Sequence, residues 1–60
     1  MLRYYTCQEG RFHYQITVLN EDGDVVYHSR TVWHEGVSAD DLEALLVDRA
    51  NKHGFNIKMK

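Results

Sequence analysis

The chain has 60 residues, with seven Lys and Arg against nine Asp and Glu, four His, and a formal net charge of −2. Hydrophobic residues make up 43% and charged residues 27%, enough apolar material to offset the entropy of ordering the chain, which argues against disorder. One small domain spanning residues 1–60 is expected, and the long chains that Rossmann and TIM-barrel enzymes need are excluded.

Proline is absent, and Gly10, Gly23, Gly36 and Gly54 divide five segments of different periodicity. The first, Leu2 to Cys7, reads as a strand. A three-residue loop Gln8-Glu9-Gly10 would join it to the next and send Leu2, Tyr4 and Thr6 inward, with Arg3, Tyr5 and Cys7 outward. A two-residue Glu9-Gly10 loop would reverse the faces and bury Arg3.

From Phe12 to Val18 the apolar residues alternate, with Phe12, Tyr14, Ile16 and Val18 on one side and His13, Gln15 and Thr17 on the other. That period argues a half-buried strand. A hairpin turn centred on Asp22-Gly23 leads into a third strand over Val25 to Trp33. It sets Val18 opposite Tyr27, Ile16 opposite Ser29, Tyr14 opposite Thr31 and Phe12 opposite Trp33, which gathers apolar side chains on one face.

Ser38 followed by Asp41 resembles a capping box, and Val37 with Leu42 would form a hydrophobic staple. Asp40, Asp41 and Glu43 then sit at the positive end of the helix dipole, and Arg49, Lys52 and His53 at the negative end. Leu42, Leu45, Leu46, Arg49 and His53 share one face, with Ala50 beside them. Gly54 fits the left-handed position that ends a helix. Phe55, Ile57 and Met59 alternate with Asn56, Lys58 and Lys60 as a short final strand, which can join beside the first strand or the third. The expected fold is a two-layer α+β domain, β-β-β-α-β, with a mostly antiparallel sheet and one amphipathic helix on one face. Phe12, Tyr14, Ile16, Val18, Tyr27, Trp33, Leu42, Leu45, Leu46, Phe55 and Ile57 form the expected core.

The single Cys7 cannot make an internal disulfide. No leader pattern and no run long enough for a membrane span is present, so the chain reads as a cytoplasmic protein starting at its own Met1. His13, His28 and His34 share the expected outer sheet face, but no C-x-x-C or H-x-x-x-H spacing accompanies them. Solvated surface histidines are expected rather than a metal site, and no cofactor is implied. Cys7 near His13 lacks an orienting third group and an oxyanion hole, so the chain is read as a non-enzyme. Glu21-Asp22-Gly23-Asp24 lacks the ligand alternation of a calcium loop and reads as a solvated turn.

The expected outer face carries Arg3, Tyr5, Arg11, His13, Gln15, Thr17, His28, Arg30 and His34, with Lys58 and Lys60 added if the last strand joins the sheet. A net acidic chain thereby hides a locally basic, aromatic-bearing face. An ordinary solvated sheet face accounts for the same residues.

Three antiparallel strands followed by a helix resemble the arm-type DNA-binding domains of phage integrases. Those domains carry a Lys/Arg-rich second hairpin, which Val25-Val26-Tyr27-His28-Ser29-Arg30 does not match. Phe12 to Lys60, with its helix closing on Gly54-Phe55-Asn56-Ile57, resembles in layout the small phage-encoded inhibitors of host enzymes. Both are likenesses of pattern without a diagnostic motif, so no functional residue is carried over.

The expectation is a small binding module that docks on a larger protein as a regulator or inhibitor, through Tyr5, Arg11, His13, His28 and Arg30. The alternative is nucleic-acid binding through the same face. No membrane partner is expected. Leu19, Val26 and Val32, with Tyr5, would leave an apolar patch on that face, and a homodimer is expected to cover it.

Overall fold

The computed structural model describes residues 2–58. Three strands precede one helix: β1 (Arg3–Glu9), β2 (His13–Leu19), β3 (Val25–Val32) and α1 (Ala39–His53). The sheet order is β1-β2-β3, antiparallel throughout, and α1 packs over β2 and β3. The α+β class is as expected.

The second hairpin keeps the expected pairs Val18↔Tyr27, Ile16↔Ser29 and Tyr14↔Thr31. Its tip differs. Asn20 Oδ1 accepts from the backbone N–H of Asp22 (2.9 Å) and Asp24 (3.0 Å), and Asn20 N–H donates to Asp24 O at 3.0 Å. The loop is therefore Glu21-Asp22-Gly23, with Gly23 at φ +86°. A register shift between Val18 and Leu19 absorbs the odd residue and returns the ladder to the expected pairing. Trp33 N–H donates to Phe12 O at 2.6 Å, which continues that register past the strand ends.

The first hairpin turns later than expected. Glu9 pairs with His13, so the loop is Gly10-Arg11-Phe12 rather than Gln8-Glu9-Gly10. Gly10 supplies the left-handed conformation at the start of the loop, at φ +65°. The turn has moved by two residues, an even slip, so the faces survive. Tyr4 and Thr6 still face inward, opposite Val18 and Ile16. Phe12 lies in the turn, 66% exposed, and leaves the expected core.

Ser38 caps α1 as anticipated, its Oγ accepting from Asp41 N–H at 3.2 Å. At the other end Gly54 N–H donates to Asn51 O (3.1 Å) and Phe55 N–H to Ala50 O (3.3 Å), the paired bonds of a Schellman motif. Ile16, Val18, Leu46, Val47, Ala50 and Ile57 form the buried cluster, flanked by Tyr4, Tyr14, Tyr27 and Phe55. Val47 replaces Leu45, which is 46% exposed. The buried stripe runs through Leu42, Leu46, Val47 and Ala50, so Leu45 falls off its flank. Arg49 and His53 are likewise exposed.

Beyond the core, Tyr14 Oη donates to Thr6 Oγ1 (3.4 Å), which donates to Glu43 Oε1 (3.1 Å). Burial, and secondarily the Glu43 charge, pushes the Tyr4 hydroxyl above its ordinary pKa.

The expected final strand is corrected. Residues 55–58 form no strand, and Met59 and Lys60 lie outside the described residues. Ile57 is nevertheless buried. Its N–H donates to Asn51 Oδ1 (2.7 Å) and its carbonyl accepts from Asn51 Nδ2 (2.9 Å). One helix side chain thus takes both main-chain groups that a sheet would have used.

Candidate functional site

The face of the sheet opposite α1 is built in four rows across the strands: Arg3–Leu19–Val25, Tyr5–Thr17–His28, Cys7–Gln15–Arg30 and Glu9–His13–Val32. No element covers it among the described residues. Its centre is nonetheless dry, with Gln15 and Thr17 each only 4% exposed. The Arg30–Glu9 pair, one side chain from each edge strand, spans the middle one.

The buried polar groups satisfy one another. Thr17 Oγ1 donates to Gln15 Oε1 at 2.6 Å, and Gln15 Nε2 donates to Cys7 Sγ at 3.0 Å. This fixes the orientation of the Gln15 amide and occupies the thiol of the exposed Cys7. Arg30 Nη1 crosses the central strand diagonally to donate to Glu9 Oε1 at 2.7 Å. His28 Nε2 lies 4.0 Å from Glu9 Oε2. The Arg30 hydrogen bond, joined by the charges of Arg30, His28 and His13, holds the Glu9 carboxyl below its usual range.

Between these groups lies a shallow concavity of about 370 Å³, lined by Tyr5, Cys7, Glu9, Thr17, Val25 and His28 among others. Tyr5 and Val25 on its walls are 51% and 60% exposed. The concavity thus has aromatic and aliphatic side chains on its rim and a polar floor whose groups bond to one another.

Of the residues expected to bind, Tyr5, His13, His28 and Arg30 come together on this face. Arg11 does not. It stands in the turn after β1 and borders a separate hollow of about 430 Å³ with Gln8, Phe12, Trp33 and Glu35. His34 lies in the connection after β3, and Lys58 borders a third hollow with Leu2, Tyr4, Asn56 and Ile57. Of the expected apolar patch, Tyr5, Val26 and Val32 are exposed and Leu19 is half-buried, while Val25 adds to it.

Sequence reasoning left Glu9 in a turn, and the later turn brings it onto the face beside Arg30. The Gln15–Thr17 floor was also missed, because alternation assigns polar residues to solvent. The short β-branched Thr17 flanked by long side chains was the available signal.

Among the described residues, no group of three or more His, Cys, Asp and Glu side chains is arranged to hold a metal ion. No helix there is long and apolar enough to cross a membrane. Compared with known proteins, the chain matches no family model, no curated protein and no solved structure.

Proposed function

We propose that the chain is a non-enzymatic docking module whose outer sheet face binds a larger protein and regulates or inhibits it. The observation that carries this reading is the Glu9–Arg30 pair at 2.7 Å. It neutralises the expected basic centre of the face, with His28 also beside Glu9, and leaves the exposed Tyr5 and Val25 to make contact around the concavity. Aromatic anchors beside a balanced charge pair fit a protein surface. A phosphate backbone is better met by unpaired Arg and Lys. Arg11 and Lys58, two of the cations that would have served a nucleic acid, stand off this face.

The test is affinity capture from the source cells with the wild-type chain and with Tyr5→Ala and His28→Ala. A protein retained by the wild type and lost from both folded variants supports the reading. Equal capture by all three overturns it. Titration with duplex and single-stranded probes at rising salt separates the alternative, for which binding falls steeply as counterions return.

A further inference from the structure

We propose that two copies of this chain associate through β1, pairing antiparallel about a two-fold axis at Thr6 to make one continuous six-stranded sheet from two three-stranded ones. This goes beyond the docking reading and does not depend on it, because the outer faces of both copies stay open.

The direction of the free backbone groups follows from one bond. Trp33 N–H donates to Phe12 O, and antiparallel ladders alternate. Even-numbered residues of β2 therefore bond to β3, and odd-numbered ones bond to β1. Arg3, Tyr5, Cys7 and Glu9 turn their main chain toward β2. Tyr4, Thr6 and Gln8 present N–H and C=O groups to the outside. No strand meets that edge among the described residues. Among the described residues the tail does not pair with it either. Residues 56–58 border Leu2 and Tyr4 across a hollow but make no backbone hydrogen bond to β1, and both main-chain groups of Ile57 are held by Asn51.

The opposite edge is guarded. By the same alternation β3 presents His28, Arg30 and Val32 outward. Arg49 Nη1 reaches from α1 to Ser29 Oγ (3.1 Å) and Arg30 O (3.4 Å), laying a guanidinium along the strand. Long charged side chains at an edge discourage strand addition. The outward residues of β1 are all uncharged, and β1 contains neither Pro nor Lys.

The sequence of β1, Arg-Tyr-Tyr-Thr-Cys-Gln-Glu, is self-complementary about its centre. A two-fold at Thr6 sets Arg3 opposite Glu9 of the second copy at both ends, and Tyr5 opposite Cys7 of the second copy between them. Tyr4 meets Gln8 of the second copy on the other face. Every hydrogen-bonded pair in this register joins even-numbered residues, as the free groups require. Moving the axis to Cys7 would set Arg3 against Arg11 of the second copy, so charge selects Thr6. Glu9 can take the additional donor, because a carboxylate has about four acceptor sites and Arg30 bonds to Oε1.

The experiment is sedimentation equilibrium on the full chain, on Arg3→Glu, on Glu9→Arg and on their equimolar mixture. The wild type is expected at twice the 7.1 kDa chain mass. Each variant alone places like charges at both ends and should raise the dimer dissociation constant roughly ten-fold or more. The mixture should restore the dimer, since a mixed pair sets opposite charges together at both ends, one ion pair in its native sense and the other with its signs exchanged. A monomeric wild type at the highest soluble concentration overturns the proposal, as does a mixture that stays monomeric while both variants keep the wild-type circular dichroism. If Glu9→Arg does not fold, amide exchange in the wild type decides. Exchange at Tyr4, Thr6 and Gln8 should slow with rising protein concentration while His28 and Val32 do not change. Concentration-independent exchange at all five overturns it.

Discussion

Asn51 and Ile57 are joined by reciprocal hydrogen bonds of 2.7 and 2.9 Å, so a carboxamide on the last turns of the helix serves the tail as a strand would. Replacing Asn51 with Leu removes both bonds while keeping an aliphatic stem. A loss of about 1–3 kcal/mol is expected, because the main-chain groups of Ile57 are left without a protein partner. Urea melts with equal m-values measure it, and a change within a few tenths of a kcal/mol would remove this clamp from the account of the fold.

Leu46 is fully buried and Leu45 is 46% exposed, although they are neighbours in the chain. Leu46→Ala should therefore cost about 2–5 kcal/mol, much of what a small domain has, whereas Leu45→Ala should cost below about 1 kcal/mol. Comparable losses in denaturant melts would mean that α1 presents a different face to the sheet.

Gly54 adopts φ +124°, and a Cβ built there meets nothing within 4 Å. Space is available, so any penalty of Gly54→Ala comes from backbone conformation. About 1–2 kcal/mol is expected. An unchanged thermal midpoint would show that the helix terminus readjusts freely.

The Glu9 carboxyl titrates below its usual range because Arg30 donates to it. A lowered folded-state pKa gives a contribution that is fully present above the ordinary carboxylate range and is lost as pH falls through the lowered value. Arg30→Gln should bring the Glu9 titration, followed by side-chain NMR, back up toward the ordinary range and remove that acid sensitivity. A titration that does not move in the variant would separate Glu9 from Arg30 in solution.

The second hairpin was legible because its alternating apolar set selects one register, with Val18 opposite Tyr27, which the shift between Val18 and Leu19 preserves against a three-residue tip. Ser38 and Gly54 likewise mark the helix ends by local chemistry. The first hairpin was legible only in parity. Turns at Glu9 or at Arg11 bury the same side chains, so the hydrophobic pattern does not distinguish them. That ambiguity carried Phe12 into the expected core and left Glu9 off the outer face. The tail shows another limit of periodicity. Phe55 and Ile57 alternate as a strand does, but a strand also needs partners for its main chain, and Asn51 had already met that need at Ile57. Val47 was overlooked because Leu45 fits the same helical stripe about as well.

Arg49 reaching Ser29 Oγ and Arg30 O has a consequence for how far association can spread. A sheet with two receptive edges can grow without limit, each newcomer offering its far side to the next. A sheet with one receptive edge stops after a single addition, because joining consumes the only growing end of each molecule. The guanidinium of one helix residue thereby sets the difference between a closed pair and a ribbon.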